Sequence, residues 1–589
     1  MAVQAAGSAR AGVRRSHVEP GAVVPRLRVL WLLALAVLVA SLVWTRLAYW
    51  QVVEHGYLSS VAEAQYSKVV VQPASRGHIY DRNGRDLAIN TPVYSVFVSP
   101  EQVPPVAREE VSAQLANTLA VDKASVLALL ASDRKFAYVA RRQPREKYDQ
   151  LRRLKLPGVG MQEEQQRSYL PGAEPDTTLA ANLLGFVNDD GAGQYGVEHF
   201  YNDRLAGKAG FVSTYTDLAN REIVLGTRSH RDAVNGADLT LSLDSDVQFV
   251  AEQALAAGVK GAKAESGSVL IMDPSTGGII AWADYPTYNA NNFASTPVDR
   301  FIDPAVSHLY EPGSVMKVVT LSGALDVHAI TPGTTINDPG VIGVDGFTIR
   351  DWDLKNHGTV TMTNVLEKSL NVGAIRAMQM EGAANYYRYL QGFGFGGASG
   401  VDVAGESAVP LPPAERWHAS DFATASFGQG IDVNMVQMLS AVNVVANKGK
   451  LAAPHVVDRV GGKPVVAPGA PQRQVIAPET AQLMTRMMES VVQNGSGYTA
   501  RVPGFEKDEA GKTGTSQIPV NGQYTWDVWA SYVGFLPADN PRFTMLVVVR
   551  KPNNGSFDHN EGYYVSAPIW KQIAQAMVLQ WRITPDPGH

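Results

Sequence analysis

The sequence predicts an α+β protein of more than one domain, held behind a single membrane-spanning helix. Three observations carry this: an uncharged apolar run near the N-terminus, a following region of short β-rich runs broken by turn chemistry, and a C-terminal part with strand pairs at both ends and helices between. The 589 residues exceed the usual single-domain size, and 45% hydrophobic against 18% charged residues describes a chain that folds. A formal net charge of -5 gives no basic footprint for nucleic acid, which is set aside as a partner. The absence of cysteine removes thiol catalysis, disulfides, iron-sulfur clusters and cysteine-ligated zinc. The 12 histidines are scattered, with no H-E-x-x-H and no tight cluster of ligand spacing, so neither a metal nor a cofactor is expected.

Residues 1–28 are rich in Ala, Gly, Arg and Val without periodicity and read as a cytoplasmic tail. "RVLWLLALAVLVASLVWTRLAYWQ", from Arg28, holds about 17 residues without a charge, close to the minimum for crossing a bilayer. A transmembrane anchor is therefore expected over 29–48, with Trp44, Tyr49 and Trp50 at an interface. Arg10, Arg14, Arg15, Arg26 and Arg28 precede it, which places the N-terminus in the cytoplasm and the rest outside. A cleaved signal peptide is the competing reading, although no small-x-small site follows the run. Either reading exports the remainder.

Residues 49–235 read as an elongated α+β module. "KVVVQ" and "YSVFV" are strand-like, "DRNG" at 81–84 is a turn because Asn-Gly accepts positive φ, and helical patterns run near 107–131 and 174–187. Nothing in this module assembles a catalytic set. A second domain, 236–589, opens with a strand that passes through Asp244 and Ser245, both plausible N-caps, into an amphipathic helix. "SGSVLIMDPSTGGIIAWADYP" predicts a hairpin turning at Pro274–Gly278. "ASYVGFLPADNPRFTMLVVVR" predicts another, and "APIWKQIAQAMVLQ" a closing helix with Pro568 in its first turn. Strands at both ends imply one antiparallel sheet, built from distant segments and packed on helices.

Within this domain "EPGSVMKVV" places Ser314 at a helix entrance and Lys317 one turn along the same face. Free N–H groups and the positive end of the helix dipole stabilise developing negative charge there. A serine hydroxyl becomes nucleophilic when a nearby base takes its proton, and a lysine serves when burial or a second cation lowers its proton affinity. Spacing alone does not decide, because "SDRK" puts Ser132 and Lys135 in the same pattern without a helix entrance. Two other stretches supply what is missing. "KSLNVG" carries Ser369 and Asn371, a hydroxyl and an amide that can relay a proton and orient the first lysine or a substrate amide. "EAGKTGTSQIP" carries Lys512, Thr513, Gly514 and Thr515 on a strand-like run, whose glycine permits close substrate approach. The backbone N–H groups of Ser314 and Thr515 are candidates for an oxyanion hole. Together these make an acyl-transfer site.

S-x-x-K, S-x-N and K-T-G in this order resemble the penicillin-binding proteins and serine β-lactamases. "RGHIYDRNGRDLA", "GQYGVEHFYNDRLAG" and "GSVLIMDPSTGGIIAWADYP" further resemble class B penicillin-binding proteins, and "ATASFGQGIDVNMVQMLSAVNVVANKG" is similar to their FtsI-type division members. The resemblance implies a pedestal of the dimerisation type over 49–235 and a β-lactamase-like penicillin-binding domain over 236–589. It departs in Leu370, inside a motif that is often Ser-Ser-Asn, and in "VSAP" at 565–568, where a Gly-rich "GGxVAAP" is expected.

The activity implied is D,D-transpeptidation of peptidoglycan stem peptides ending in D-Ala-D-Ala, with no cofactor and with β-lactams as inhibitors. Ser314 would be the nucleophile and Lys317 its base. Ser369 would pass a proton to the leaving amine, Asn371 would orient the lysine, and Lys512, Thr513 and Thr515 would hold the terminal carboxylate. The resemblance also implies a SEDS-family, FtsW-like membrane glycosyltransferase and other division proteins as partners. An elongation-type transpeptidase, a D,D-carboxypeptidase, a β-lactam sensor and a catalytically silent division scaffold remain as alternatives.

Overall fold

The computed structural model describes residues 26–215, 229–465 and 472–586; most of the expected N-terminal tail lies outside them. The chain forms two compact units, one of residues 1–72 and 210–232 and the other of residues 73–209 and 233–589. In the first, Arg26–Ala48 is helical and continues through a π turn at Tyr49–Val53, giving a 28-residue apolar helix long enough to cross a membrane. Its described residues are exposed on every side, as a helix whose apolar surface meets lipid should be. Ser67–Gln72, Gly210–Tyr215 and Ser229–Arg231 make a three-stranded antiparallel sheet in the same unit.

The second unit contains two larger sheets. In one, Asp86–Val98 is the long central strand, paired antiparallel with Ile79–Tyr80, Ala137–Gln143 and Val159–Tyr169. Gly84, at φ +81°, closes the turn predicted at "DRNG". This sheet continues into the second half of the chain, because Leu239–Leu241 pairs parallel with Ile79–Tyr80 and antiparallel with Val457–Val460. The helical expectation near 107–131 corresponds to Arg108–Leu119 and Lys123–Leu130.

The expectation over 174–187 is corrected, since only Ala181–Leu184 is helical. Pro175 and the positive φ of Asp176 and Ala180 break the pattern. The buried Glu252 carboxylate captures the N–H groups of Ala173 and Ala180, at 3.0 and 2.7 Å, that a helix would have used. Tertiary hydrogen bonding overrides the local period.

The other sheet is the one expected from distant strands. Its elements are helix α1 (Ser245–Gly261), strands β1 (Ser266–Met272) and β2 (Ile279–Tyr285), helices α2 (Lys317–Asp326) and α3 (Asn371–Glu381), strands β3 (Ala510–Val520), β4 (Gln523–Leu536) and β5 (Phe543–Arg550), and helix α4 (Gly562–Trp581). Strand order is β2-β1-β5-β4-β3, antiparallel throughout. Both faces are buried, which is why β1 and β5 read as continuous apolar runs. Val269, Ile271, Val547 and Tyr532 pack with Leu255 of α1 and Trp570 of α4. Leu270, Met272, Leu546 and Val548 point the other way, into a core shared with Val318 and Leu321 of α2.

Asp244 caps α1, accepting from Asp246 N and Val247 N, while Ser245 lies inside the helix. Pro568 is also inside its helix, because α4 begins at Gly562 rather than at "APIW". A proline has no N–H for the carbonyl four residues back, so sequence reading favours the first turn for it, yet the apolar face of α4 carries the helix across.

Candidate active site

The Ser314 turn is positioned by strand β3 and by a glycine turn at Gly428. Gly313–Met316 forms one 3-10 turn leading into α2. Gly313, at φ +59°, donates its N–H to the Gly428 carbonyl (3.0 Å), and a Cβ on Gly428 would sit 2.1 Å from the Gly313 oxygen. Glu311 completes the clamp. Its carbonyl accepts from Ser516 Oγ (2.5 Å), and its carboxylate accepts from Gly430 N (2.8 Å) and from the Tyr524 hydroxyl (3.1 Å). Gly514 lets β3 lie against this turn, since a Cβ there would meet Ser531 Oγ at 2.3 Å and Val315 Cγ2 at 2.8 Å. The close approach that this glycine permits is therefore with the chain's own turn.

Lys317 is completely buried. Its Nζ lies 2.9 Å from Ser314 Oγ, 2.6 Å from the Ser369 carbonyl and 2.8 Å from Asn371 Oδ1. Asn371 Nδ2 donates to the Arg350 carbonyl (2.9 Å), which turns Oδ1 toward the lysine. Burial and the neighbouring Lys512 cation hold the Lys317 ammonium well below its usual range. A neutral amine suits this set of neighbours. Its two N–H groups serve the Ser369 carbonyl and Asn371 Oδ1, and its lone pair faces the Ser314 hydroxyl.

Ser369 adopts φ +57°, rare for a non-glycine residue, and this presents both its carbonyl and its hydroxyl to the lysines. Lys512 Nζ donates to Ser369 Oγ (3.0 Å) and to the Thr513 carbonyl (2.8 Å), and burial lowers it to about 7. One hydroxyl thus bridges both lysines. Thr513 Oγ1 meets Ser496 Oγ at 2.8 Å, and Thr515 Oγ1 accepts from Gly562 N at 3.2 Å. Ser314, Ser369, Thr513 and Thr515 all line one open cleft of about 560 Å³. A hydroxyl beside a neutral amine, with a second proton carrier and a cation behind it, can take up and return an acyl group.

The structure brings Ser314, Lys317, Ser369, Asn371, Lys512, Thr513, Gly514 and Thr515 together. Ser132 is elsewhere, its hydroxyl donating to the Leu129 carbonyl (2.7 Å) at a helix end, and Lys135 is exposed. Sequence reasoning missed Glu311, Ser496 and the aromatic rim of Trp352, Tyr498, Tyr563 and Tyr564. Only the last pair left a signal, as the departure beside "VSAP". There the chain is regular helix, with Ser566 Oγ donating to the Ala530 carbonyl (2.8 Å).

The penicillin-binding protein transpeptidase domain matches residues 267–575, and the penicillin-binding protein dimerisation domain matches 71–241. Penicillin-binding protein PbpB of Mycobacterium tuberculosis is 32% identical over 582 residues, covering 92% of this chain and 84% of that protein. Peptidoglycan D,D-transpeptidase FtsI of Escherichia coli K12 is 31% identical over 563 residues, covering 94% and 91%. Among solved structures, a peptidoglycan synthetase from Bifidobacterium adolescentis superposes with a TM-score of 0.70 at 28% identity, covering 89% of this chain and 98% of that one. Penicillin-binding protein 3 from M. tuberculosis complexed with aztreonam gives 0.68 at 28%, covering 88% and 98%.

Proposed function

Because the chain belongs to the class B penicillin-binding proteins, we propose that it cross-links peptidoglycan stem peptides through an acyl-enzyme on Ser314. The observation that carries this reading is the pairing of a buried Lys317 with Ser314 Oγ at 2.9 Å, where burial and Lys512 disfavour the ammonium form and the Ser369 carbonyl and Asn371 Oδ1 accept from the amine. Ser314 Oγ attacks the carbonyl of the penultimate D-alanine and its proton passes to Lys317 Nζ. The C–N bond to the terminal D-alanine then breaks, and the proton reaches the leaving amine through Ser369 Oγ, which touches both lysines. Thr513, Thr515 and Ser496, with Lys512 behind them, hold the terminal carboxylate. An amine from a neighbouring stem attacks the ester, forms the cross-link and returns a proton to Ser314. β-Lactams enter the same route as mimics of the donor.

Mass spectrometry of the protein after incubation with penicillin tests this directly. The penicilloyl adduct is expected on Ser314, and an adduct on another serine would move the site. Incubation with a pentapeptide donor and an amine acceptor should yield cross-linked product; release of D-alanine alone would assign a carboxypeptidase.

The lysine pair predicts a narrow pH profile for the second-order acylation constant, which reports free-enzyme groups. The acid limb rises as Lys317 loses its proton. The alkaline limb falls as pH rises through about 7, where Lys512 gives up the charge that anchors the carboxylate and keeps Lys317 neutral. Rates measured from acid pH to two units above the alkaline limb at about 7 check this; an unbroken rise to the upper end would remove Lys512 from the role.

The apolar helix Arg26–Ala48 fits a single-pass anchor. The arginines at 10, 14, 15, 26 and 28 support a cytoplasmic N-terminus and an extracytoplasmic site. A septal role and an FtsW-like membrane glycosyltransferase partner are the finer reading, supported by the likeness to FtsI. Co-purification in mild detergent tests the partner.

A further inference from the structure

Behind Lys317 lie two aspartates that the reaction scheme does not use. Asp338 and Asp351 are 0% and 1% exposed. Asp351 Oδ1 accepts the first two N–H groups of α3, from Asn371 at 2.5 Å and from Val372 at 3.0 Å. Asp338 Oδ1 accepts from Gly340 N at 2.9 Å, and Gly340 in turn accepts from Asp351 N at 3.1 Å, so one short turn holds the two residues side by side. Their Oδ2 atoms are both buried without a hydrogen-bond partner.

Two carboxylates can only accept, so holding the pair side by side away from water is repulsive until one carries a proton. We infer that Asp338 carries that proton, donates it to Asp351 Oδ2, and thereby makes Asp351 the positioning residue that fixes Asn371, and through it Lys317, against Ser314. The inference rests on the reading of Lys317 as the base. Asp351 is the accepting member of the pair, since its Oδ1 already takes two N–H groups, whereas Asp338 Oδ1 takes one. Burial and the facing Asp351 push Asp338 up to about 6, so the pair holds its proton on the acid side of neutrality.

A single charge is also what the base tolerates. Lys317 feels Asp351 and Asp338 as charges favouring its ammonium form and Lys512 as one opposing it, so a second negative charge in the pair would work against a neutral lysine. His357, whose backbone N–H reaches the Asp338 carbonyl at 3.0 Å, is the other titratable group facing the pair. Its side chain is already engaged with Asp353 at 3.1 Å.

The test uses the full chain in detergent and compares Asp338→Asn, Asp338→Ala and Asp351→Ala for penicillin acylation rate and melting temperature. An amide at 338 replaces the protonated carboxyl as a permanent donor, so Asp338→Asn should stay within about threefold of wild type. Asp338→Ala leaves Asp351 Oδ2 buried and unpartnered, and Asp351→Ala removes the acceptor of the helix N–H groups; each should slow acylation by about tenfold or more. Equal rates for the Asn and Ala variants at 338, or a tenfold loss in Asp338→Asn, overturn the inference. If Asp338→Ala does not fold, infrared difference spectroscopy decides. A carboxylic-acid C=O band present in wild type at pH 5, below the value of about 6 for Asp338, should vanish in Asp338→Asn, and an unchanged spectrum rejects the shared proton. The penicilloyl adduct is mapped in each sample: an adduct away from Ser314 defeats the assignment of the site, whereas an adduct on Ser314 with indifferent variants at 338 defeats only the positioning role.

Discussion

Lys317→Met is expected to slow acylation of Ser314 by about 10³-fold, within the range of 10² to 10⁴ that a positioned general base supplies. Methionine matches the unbranched stem, so the volume of this completely buried side chain is nearly kept. Two effects on stability oppose each other. The substitution removes a buried amine whose charged form is strongly disfavoured, and it leaves the Ser369 carbonyl and Asn371 Oδ1 without their donor, at about 1–3 kcal/mol for each orphaned group. The variant should therefore fold with a lowered melting temperature and a nearly silent serine. Stopped-flow labelling with a fluorescent penicillin gives the rate. Retention of activity within tenfold would mean that the Ser314 proton leaves by another route, and Lys512 through Ser369 Oγ would be the one to examine.

The triple motif was legible because each part has a local signature that survives folding. Ser314 follows Pro312 and Gly313 into an apolar helix, Asn371 opens another, and Lys512 alternates on a strand. Ser132 has the same spacing, and the structure separates the two by context, since its hydroxyl is spent on its own helix end. The sheet was legible for a similar reason. Runs such as "SVLIM" and "TMLVVV" are apolar on both faces, which short strands between turn residues explain best.

The supports of the site were not legible. Glu311 meets Tyr524 across more than 200 residues of chain, and Asp351 reaches the N-terminus of α3 across a turn whose sequence resembles any polar loop. Ser496 sits in "NGSG", which reads as flexible punctuation, and only the register of β3 against the end of helix Pro478–Asn494 puts it on Thr513. These contacts come from tertiary packing, and a period of 2 or 3.6 carries no record of them.

Glu198→Ala is expected to destabilise the pedestal by about 3–5 kcal/mol, a large fraction of the stability of an ordinary domain. Glu198 is completely buried and takes Arg76 Nε at 2.7 Å, Arg167 Nε at 2.7 Å and the Tyr169 hydroxyl at 3.1 Å. The two arginines are nearly as buried, so removing the carboxylate strands two guanidinium groups away from water. What remains to them is Asn202 Oδ1 and the backbone carbonyls of residues 191 and 198 for Arg76, and the Gly77 carbonyl and Asn90 Oδ1 for Arg167, all neutral acceptors. The cluster also lies where the pedestal joins the catalytic half. Gly77 N reaches the Leu205 carbonyl at 2.8 Å, and Leu239 N reaches the His78 carbonyl at 2.8 Å, beside the parallel pair of Ile79–Tyr80 with Leu239–Leu241. Loss of Glu198 should therefore lower the melting transition and also separate it into two, the pedestal going first while Ser314 still takes penicillin. Calorimetry with parallel labelling reads both. Replacing Glu198, Arg76 and Arg167 together by apolar residues should recover part of the loss, because the penalty comes from unpaired charge rather than from missing volume. If Glu198→Ala melts within one degree of wild type, water has reached the guanidinium groups and the cluster does not bear on stability.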